Sequence, residues 1–454
     1  MKKFIGLLFL AILIGVPTYI YTSSTFERVA PSIKFNHGKF WNLRDKFTID
    51  ISDNSGIKFY KVLMINDGKP KILAKKEFSE NEIKKNVLVN VKLPEFYPIK
   101  GKHILLKVEV VDNSKWNYFA GNEAKAQEEF YIDKMPPMTE VIHNNYAMRR
   151  GGSGIAIVKV SDDNLAKSYI KISESKNPTN YKIFKLTPFY KKGYFISLLV
   201  WPYEYKSFSA DLVAIDKAGN ESISHIPIRW LSVRYPKVNI NLTKSFIQNI
   251  DVPLLNKMGI EIPNNLKDIF KKVNEYVRKL NENTLYKATN VILDKQINDF
   301  YIKAFRPMKG AAKKASYGEM RSYIFDGEKI SFAIHKGIDL ASFRQAKIYS
   351  SNKGSVIYAN FTGIYGNTLA VYHKLGLVSS YSHCSIFNVS QGSKVSRGMI
   401  LARTGSTGAV FGDHLHFGIY IQGLPVQPLE WMDSHWIKDN ITNVIIKAKR
   451  LINK

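Results

Sequence analysis

The chain is 454 residues long, 45% of them hydrophobic, with no long low-complexity tract. That length and composition fit several folded domains and exclude one ordinary single domain. A single cysteine rules out an internal disulfide, and a formal charge of +28, from 66 Lys and Arg against 38 Asp and Glu, draws the protein toward polyanions.

At the N-terminus Lys2 and Lys3 precede Phe4 to Tyr21, about 18 residues without a charge. Such a run reads as a signal sequence or a membrane anchor. It is longer than the apolar core of a signal peptide, roughly 7–15 residues, and no Ala-x-Ala site follows. Residues 1–22 are therefore expected to be an uncleaved single-pass anchor, with the lysines cytoplasmic and everything after Tyr21 exported.

A weak repeat follows. Phe47-Thr-Ile-Asp-Ile-Ser-Asp53 echoes Ile157-Val-Lys-Val-Ser-Asp162, and Leu106-Lys-Val-Glu-Val-Val-Asp112 echoes Leu212-Val-Ala-Ile-Asp216, which runs on into Lys-Ala-Gly-Asn220. Each copy is about 100 residues of alternating strands, the spacing of an immunoglobulin-like β-sandwich. Two such domains are predicted over 30–134 and 135–236, with Asp133-Lys-Met-Pro-Pro137 as the break.

A helical connector is expected over 237–304. After Pro263 the residues Leu266, Ile269, Phe270, Val273, Tyr276, Val277 and Leu280 recur three and four apart, the signature of an amphipathic helix. Its apolar face is free to pack on the next domain or to cover a groove there. From 305 to 440 the period shortens again. Glycines including Gly363, Gly366, Gly376, Gly392, Gly405 and Gly412 punctuate short runs of Val, Ile, Leu and Tyr, as in an all-β domain of tight turns. Residues 441–454 form a basic tail, expected to be a solvated helix end.

The chemistry is concentrated in this last domain. Six of the ten histidines fall between His335 and His435. Three short signatures carry most of them: His335-Lys-Gly-Ile-Asp339, Tyr381-Ser-His383 and His414-Leu-His416. On a strand His414 and His416 point to one face, while apolar Leu415 and Phe417 point to the other. His335 and Asp339 also differ by an even number, so an extended segment around Gly337 could aim both at that face. One carboxylate and four imidazoles are enough to hold a metal ion with three ligands and leave two histidines for chemistry.

These signatures resemble those of the lysostaphin-type, or LytM-like, zinc metallopeptidases, which cut peptide bonds in bacterial peptidoglycan. The resemblance runs from about Phe305 to Asp433 and includes Pro307-Met-Lys-Gly310, Ser316-Tyr-Gly318 with Arg321, Gly366-Asn-Thr-Leu-Ala-Val-Tyr-His373 and Gly412-Asp-His-Leu-His-Phe417. It implies that His335, Asp339 and His416 are zinc ligands and that His383 and His414 are the catalytic pair. Which of the two histidines takes the proton of the attacking water, and which stabilises the oxyanion, stays open. Ligand type alone would also allow manganese or iron. Two positions depart from the family pattern: Cys384 stands where leucine is usual, and Phe411 replaces a common Ser or Thr. Cys384 reads as a small buried hydrophobe, His373 as a strand residue without a catalytic part, and His435 as a surface residue.

The fold class expected is therefore mainly β and multidomain: two Ig-like sandwiches, a helical connector and a LytM-like peptidase domain. The function implied is zinc-dependent endopeptidase cleavage of peptidoglycan cross-links from the outer face of the cytoplasmic membrane. The alternative is a LytM-like module that lacks catalysis, binds the cell wall and activates other hydrolases. Peptidoglycan, the membrane and envelope regulatory proteins are the expected partners, and nucleic acid is not.

Overall fold

The computed structural model describes residues 2–93, 98–174 and 177–454. Strand accounts for 44% of the chain and helix for 21%, so the fold is mainly β. The chain divides into two compact units, one holding residues 1–137 with 162–166 and 215–221, the other holding the remainder.

In the first unit one strand, Phe47–Asn66, serves two halves of a seven-stranded sheet. Its first half pairs with Ser32–Phe35 and Lys84–Val91, and its second half with Lys69–Glu77 and His103–Asp112. The register shift between Ser52 and Ile57 separates the halves, and Gly56 there has φ +93°, a conformation that favours glycine. Strict alternation along His103–Asp112 sends Ile104, Leu106, Val108 and Val110 into a core with Phe47, Ile49, Val62 and Phe130. The Asp216-to-Asn220 turn is closed by its own side chain, since Asp216 Oδ1 accepts from the amides of Ala218 (2.8 Å) and Asn220 (2.9 Å). The helix Lys2–Thr22 belongs to this unit. Its stretch Phe4–Thr22 is, among the described residues, long and apolar enough to cross a membrane.

The second unit begins with two four-stranded sheets, consistent with a sandwich. One is ordered Thr187–Pro188, Tyr194–Val200, Ser153–Ser161, Met138–Asn144; the other Asn177–Lys185, Leu165–Glu174, Ser209–Asp216, Glu221–His225. The following helices are a structural part of the last domain. Leu254, Leu255, Ile269, Phe270, Val273, Val277 and Leu285 share one core with Tyr323, Phe325, Ile364, Tyr365, Ala370 and Val378.

Two expectations need correction here. The helix after Pro263 is capped by Asn265, whose side chain accepts from the Asp268 amide, but a π-helical stretch Lys272–Val277 alters its face. Tyr276 and Leu280 are exposed, and Asn274 and Asn281 are buried in their place. The basic tail is also no solvated end. The helix Asn443–Ile452 buries Val444, Ile445, Ala448 and Ile452 against Met138–Asn144 and Ser153–Ser161, leaving Lys447 outward and Lys449 paired with Asp299.

The last domain is built on an eight-stranded sheet whose central strands are Ile338–Ala341, Leu415–Ile421, Leu377–Cys384 and Asn367–Tyr372. Leu415, Phe417 and Ile419 are fully buried on one face. The other face of the same strands carries the histidines.

A candidate metal centre in a roofed cavity

Asp339 and His416 are direct partners in the antiparallel ladder between Ile338–Ala341 and Leu415–Ile421, so their side chains rise side by side. His416 Nδ1 lies 2.9 Å from Asp339 Oδ1. His335 joins them from outside the strand, because Glu328–Ile334 ends just before it and Gly337 turns the chain. The expected extended segment is thus a turn, yet His335 Nε2 reaches within 3.1 Å of Asp339 Oδ1 and 3.0 Å of His416 Nδ1. Glycine is required at 337, since a Cβ there would stand 2.5 Å from His416 Nε2 and 2.7 Å from the Phe417 carbonyl oxygen.

Each of the three is oriented from behind. His335 Nδ1 donates to the Ser316 carbonyl (2.9 Å), which leaves Nε2 as the lone-pair nitrogen. Arg321 donates to Asp339 Oδ2 (3.3 Å) and to Glu319 Oε2 (3.1 Å), which leaves Oδ1 facing the imidazoles. Glu319 Oε1 in turn accepts from the Ser316 amide. The buried His416 Nε2 has no hydrogen-bond partner. Three Lewis-basic atoms packed this closely form a donor set suited to a metal ion, and they are the atoms that a tetrahedral site with an open fourth position needs.

His383 sits beside them by a different device. Asn367–Tyr372 pairs with Leu377–Cys384 with a register shift, so that Ser382 and His383 together oppose Thr368, and His383 has φ +63°. This bulge swings its ring out of the strand's alternation. Its ring centroid lies 4.8 Å from that of His414 and 5.9 Å from that of His416. His383 Nδ1 donates to the Thr407 carbonyl (2.9 Å) and His414 Nδ1 to the Gly412 carbonyl (2.8 Å), so each keeps its Nε2 lone pair, that of His414 lying 3.7 Å from Asp339 Oδ1.

Electrostatics agree with an ionised Asp339 and with neutral rings at His383 and His416. Burial opposes charge on Asp339, but the adjacent His335 and His416 hold its carboxyl well below the usual range. Burial, with help from neighbouring histidines, pushes His383 well below and His416 down to about 4.

The other residues singled out lie elsewhere. Cys384 is fully buried, with its thiol 3.4 Å from the Tyr381 carbonyl and its pKa raised by burial to about 12, so it is no nucleophile. His373 is buried between the Lys353 carbonyl and the Ser379 hydroxyl, and His435 is exposed.

The five site residues line a cavity of about 180 Å³ whose far wall comes from the helices upstream: Phe246, Asp251, Asn274 and Arg278. Phe246 stacks on Phe411, ring centroids 4.3 Å apart, and this pair roofs one side. Asn281 Oδ1 accepts from the Ile364 amide (2.9 Å), fixing the loop that places Tyr365 against the His416 ring. Asp251 is fully buried with neither oxygen hydrogen-bonded, and burial pushes its carboxyl up to about 8. Sequence spacing carried no sign of these wall residues, because the helices that hold them meet the site only through tertiary packing. Arg321 stood in a recognised stretch, but its grip on Asp339 had no local signal.

Residues 333–428 match peptidase family M23. A DD-carboxypeptidase/endopeptidase Mpg of Neisseria meningitidis is 34% identical over 99 residues, 22% of this chain and 23% of the relative. The peptidoglycan DD-endopeptidase ShyA of Vibrio cholerae is 33% identical over 122 residues, 26% of this chain and 28% of the relative. A lipoprotein NlpD/LppB homolog of Pseudomonas aeruginosa is 36% identical over 104 residues, 22% of this chain and 34% of the relative. The chain thus matches only 23% to 34% of the length of these relatives.

Proposed function

From the premise that residues 333–428 are a domain of peptidase family M23, we propose that the chain is a zinc endopeptidase that hydrolyses peptide cross-links of peptidoglycan, held by residues 1–22 at the outer face of the cytoplasmic membrane. The observation that carries this reading is the convergence of His335 Nε2, Asp339 Oδ1 and His416 Nδ1 within 3.1 Å of one another. His383 and His414 stand beside that cluster, each with its Nε2 lone pair.

His335, Asp339 and His416 would hold the ion, and two nitrogens with one oxygen are a donor set that suits zinc. When bound, zinc supplies Lewis acidity, bringing the pKa of water to about 7 and polarising a peptide carbonyl. The protein's own residues do the proton work. An uncharged Nε2 on His383 or His414 accepts a proton as the water oxygen bonds to the carbonyl carbon. The companion imidazole, when protonated at Nε2, stabilises the oxyanion as a hydrogen-bond donor, and the histidine that took the proton of water delivers it to the leaving nitrogen as the C–N bond breaks. Arg321 keeps Asp339 aimed. The fold supplies a recessed cavity in which these interactions are stronger than in water.

A relative named as a DD-endopeptidase and another named as a DD-carboxypeptidase/endopeptidase favour a D,D-type bond. The test is digestion of purified peptidoglycan by residues 23–454, with products read by mass spectrometry. New peptide termini that disappear with a chelator and return with zinc are expected. Intact cross-links in the presence of a zinc-loaded chain would refute the reading.

A further inference from the structure

Of the arginines and lysines that line the metal-site cavity, one has no acidic partner among the described residues. Arg321 is committed to Glu319 and Asp339, and Lys336 to Glu282 at 2.9 Å. Arg278 projects from the helix Arg278–Thr289 into the same cavity and, among the described residues, makes no ion pair. It is nevertheless held in place. Asn274 is buried, and its Nδ2 donates to the Ser331 hydroxyl (2.8 Å) and the Phe332 carbonyl (3.3 Å), so its Oδ1 must turn toward Arg278. Arg278 Nε (3.1 Å) and Nη2 (2.7 Å) both donate to that oxygen, and Nε also donates to the Asn274 carbonyl (3.1 Å). The guanidinium is therefore oriented along one edge by an uncharged acceptor, while Nη1 and the remaining Nη2 hydrogen stay unused. An oriented guanidinium with an open edge is a fork for a carboxylate.

Resting on the peptidase reading, we infer that Arg278 is a specificity residue that binds a free carboxylate of the peptide whose bond lies over His335, Asp339 and His416. The half-buried guanidinium is compensated along one edge only, by Asn274, and a substrate carboxylate would satisfy the hydrogens of the other edge. The carboxylate has two sources: the C-terminal one of the leaving residue, or a side-chain carboxylate on the acyl side of the cut bond. Either makes the helical wall a part of substrate recognition.

The test uses labelled synthetic peptides that end in D-Ala-D-Ala and carry one side-chain carboxylate, with each carboxylate free or amidated in turn. Binding is read by fluorescence anisotropy on the zinc-loaded full chain carrying His414→Ala, so that it does not depend on turnover, and cleavage is followed separately with the unaltered chain. Amidation of one of the two carboxylates should weaken binding about 10- to 100-fold, the range of a charge-assisted hydrogen-bonded pair. Loss with the terminal amide assigns the leaving residue, and loss with the side-chain amide assigns the acyl side. In Arg278→Gln acid and amide forms should bind alike, whereas Arg278→Lys should retain part of the preference. Equal binding of all forms by the unsubstituted Arg278 chain, a comparison that needs no variant at this position, or a preference that survives Arg278→Gln overturns the inference. An Arg278-dependent preference without any cleavage would uphold the carboxylate site and refute the peptidase reading, and cleavage without a preference would do the reverse.

Discussion

At the scale of single residues, the site depends on groups that never approach a substrate. Gly337 has no side chain because the His416 ring occupies the place where one would be. Gly337→Ala must push His416 away from Asp339 and His335, and zinc affinity should fall by at least 10-fold, a change that competition with a chromogenic chelator would measure. Asp251 illustrates the opposite situation, a carboxyl placed at a thermodynamic disadvantage. Its folded-state pKa of about 8 lies above the ordinary carboxylate value, so the folded chain holds a proton that the unfolded chain releases near pH 4. Its contribution to stability is complete below about pH 4 and is lost as pH rises toward 8, at up to about 1.4 kcal/mol per pH unit. Asp251→Asn should therefore melt higher than the unaltered chain at pH 7.5 and converge with it at pH 4. Thermal melts across that range check this, and parallel curves for the two chains would show that the carboxyl is solvated or paired.

At the scale of elements, the alternation of His414 and His416 against Leu415 and Phe417 was legible because a strand has a period of two and both faces are occupied by opposite chemistry. The position of His383 was not, since a bulge and a positive φ break that period. The helical wall was half legible. Spacing identified the helix after Pro263, while the π-helical stretch that exposes Tyr276 and buries Asn274 follows from tertiary packing. That packing fixes the wall to the last domain. Phe270 is buried with its ring 4.9 Å from Tyr323, so Phe270→Ala should cost about 3–5 kcal/mol in the transition that zinc stabilises, read by urea unfolding with and without the metal. A cost below about 1 kcal/mol would mean that the helices dock loosely on the last domain.

At the scale of the whole molecule, a chain with a charge of +28, an N-terminal apolar helix and no disulfide is suited to an anionic envelope surface. Its mainly β character followed from glycine punctuation and alternating runs, and the family of the last domain from ordered short signatures that spacing could locate. What composition could not convey was that the last domain and the helices before it share one core. Long-range packing of that kind leaves no periodic trace in either partner alone. It would also join metal binding to folding, because the proposed ligands come from separate strands and a turn that only the folded domain brings together.

The measurement that bears most directly on the central claim is bound zinc per chain, determined by mass spectrometry of the metal on the purified unaltered protein, on His416→Ala and on His414→Ala. One zinc per unaltered chain, none in His416→Ala, and one in an inactive His414→Ala are the predicted values, since the proposal assigns His416 to the donor set and His414 to proton transfer beside it. A zinc retained by His416→Ala, or lost from His414→Ala, would contradict the division of the histidines on which the account rests.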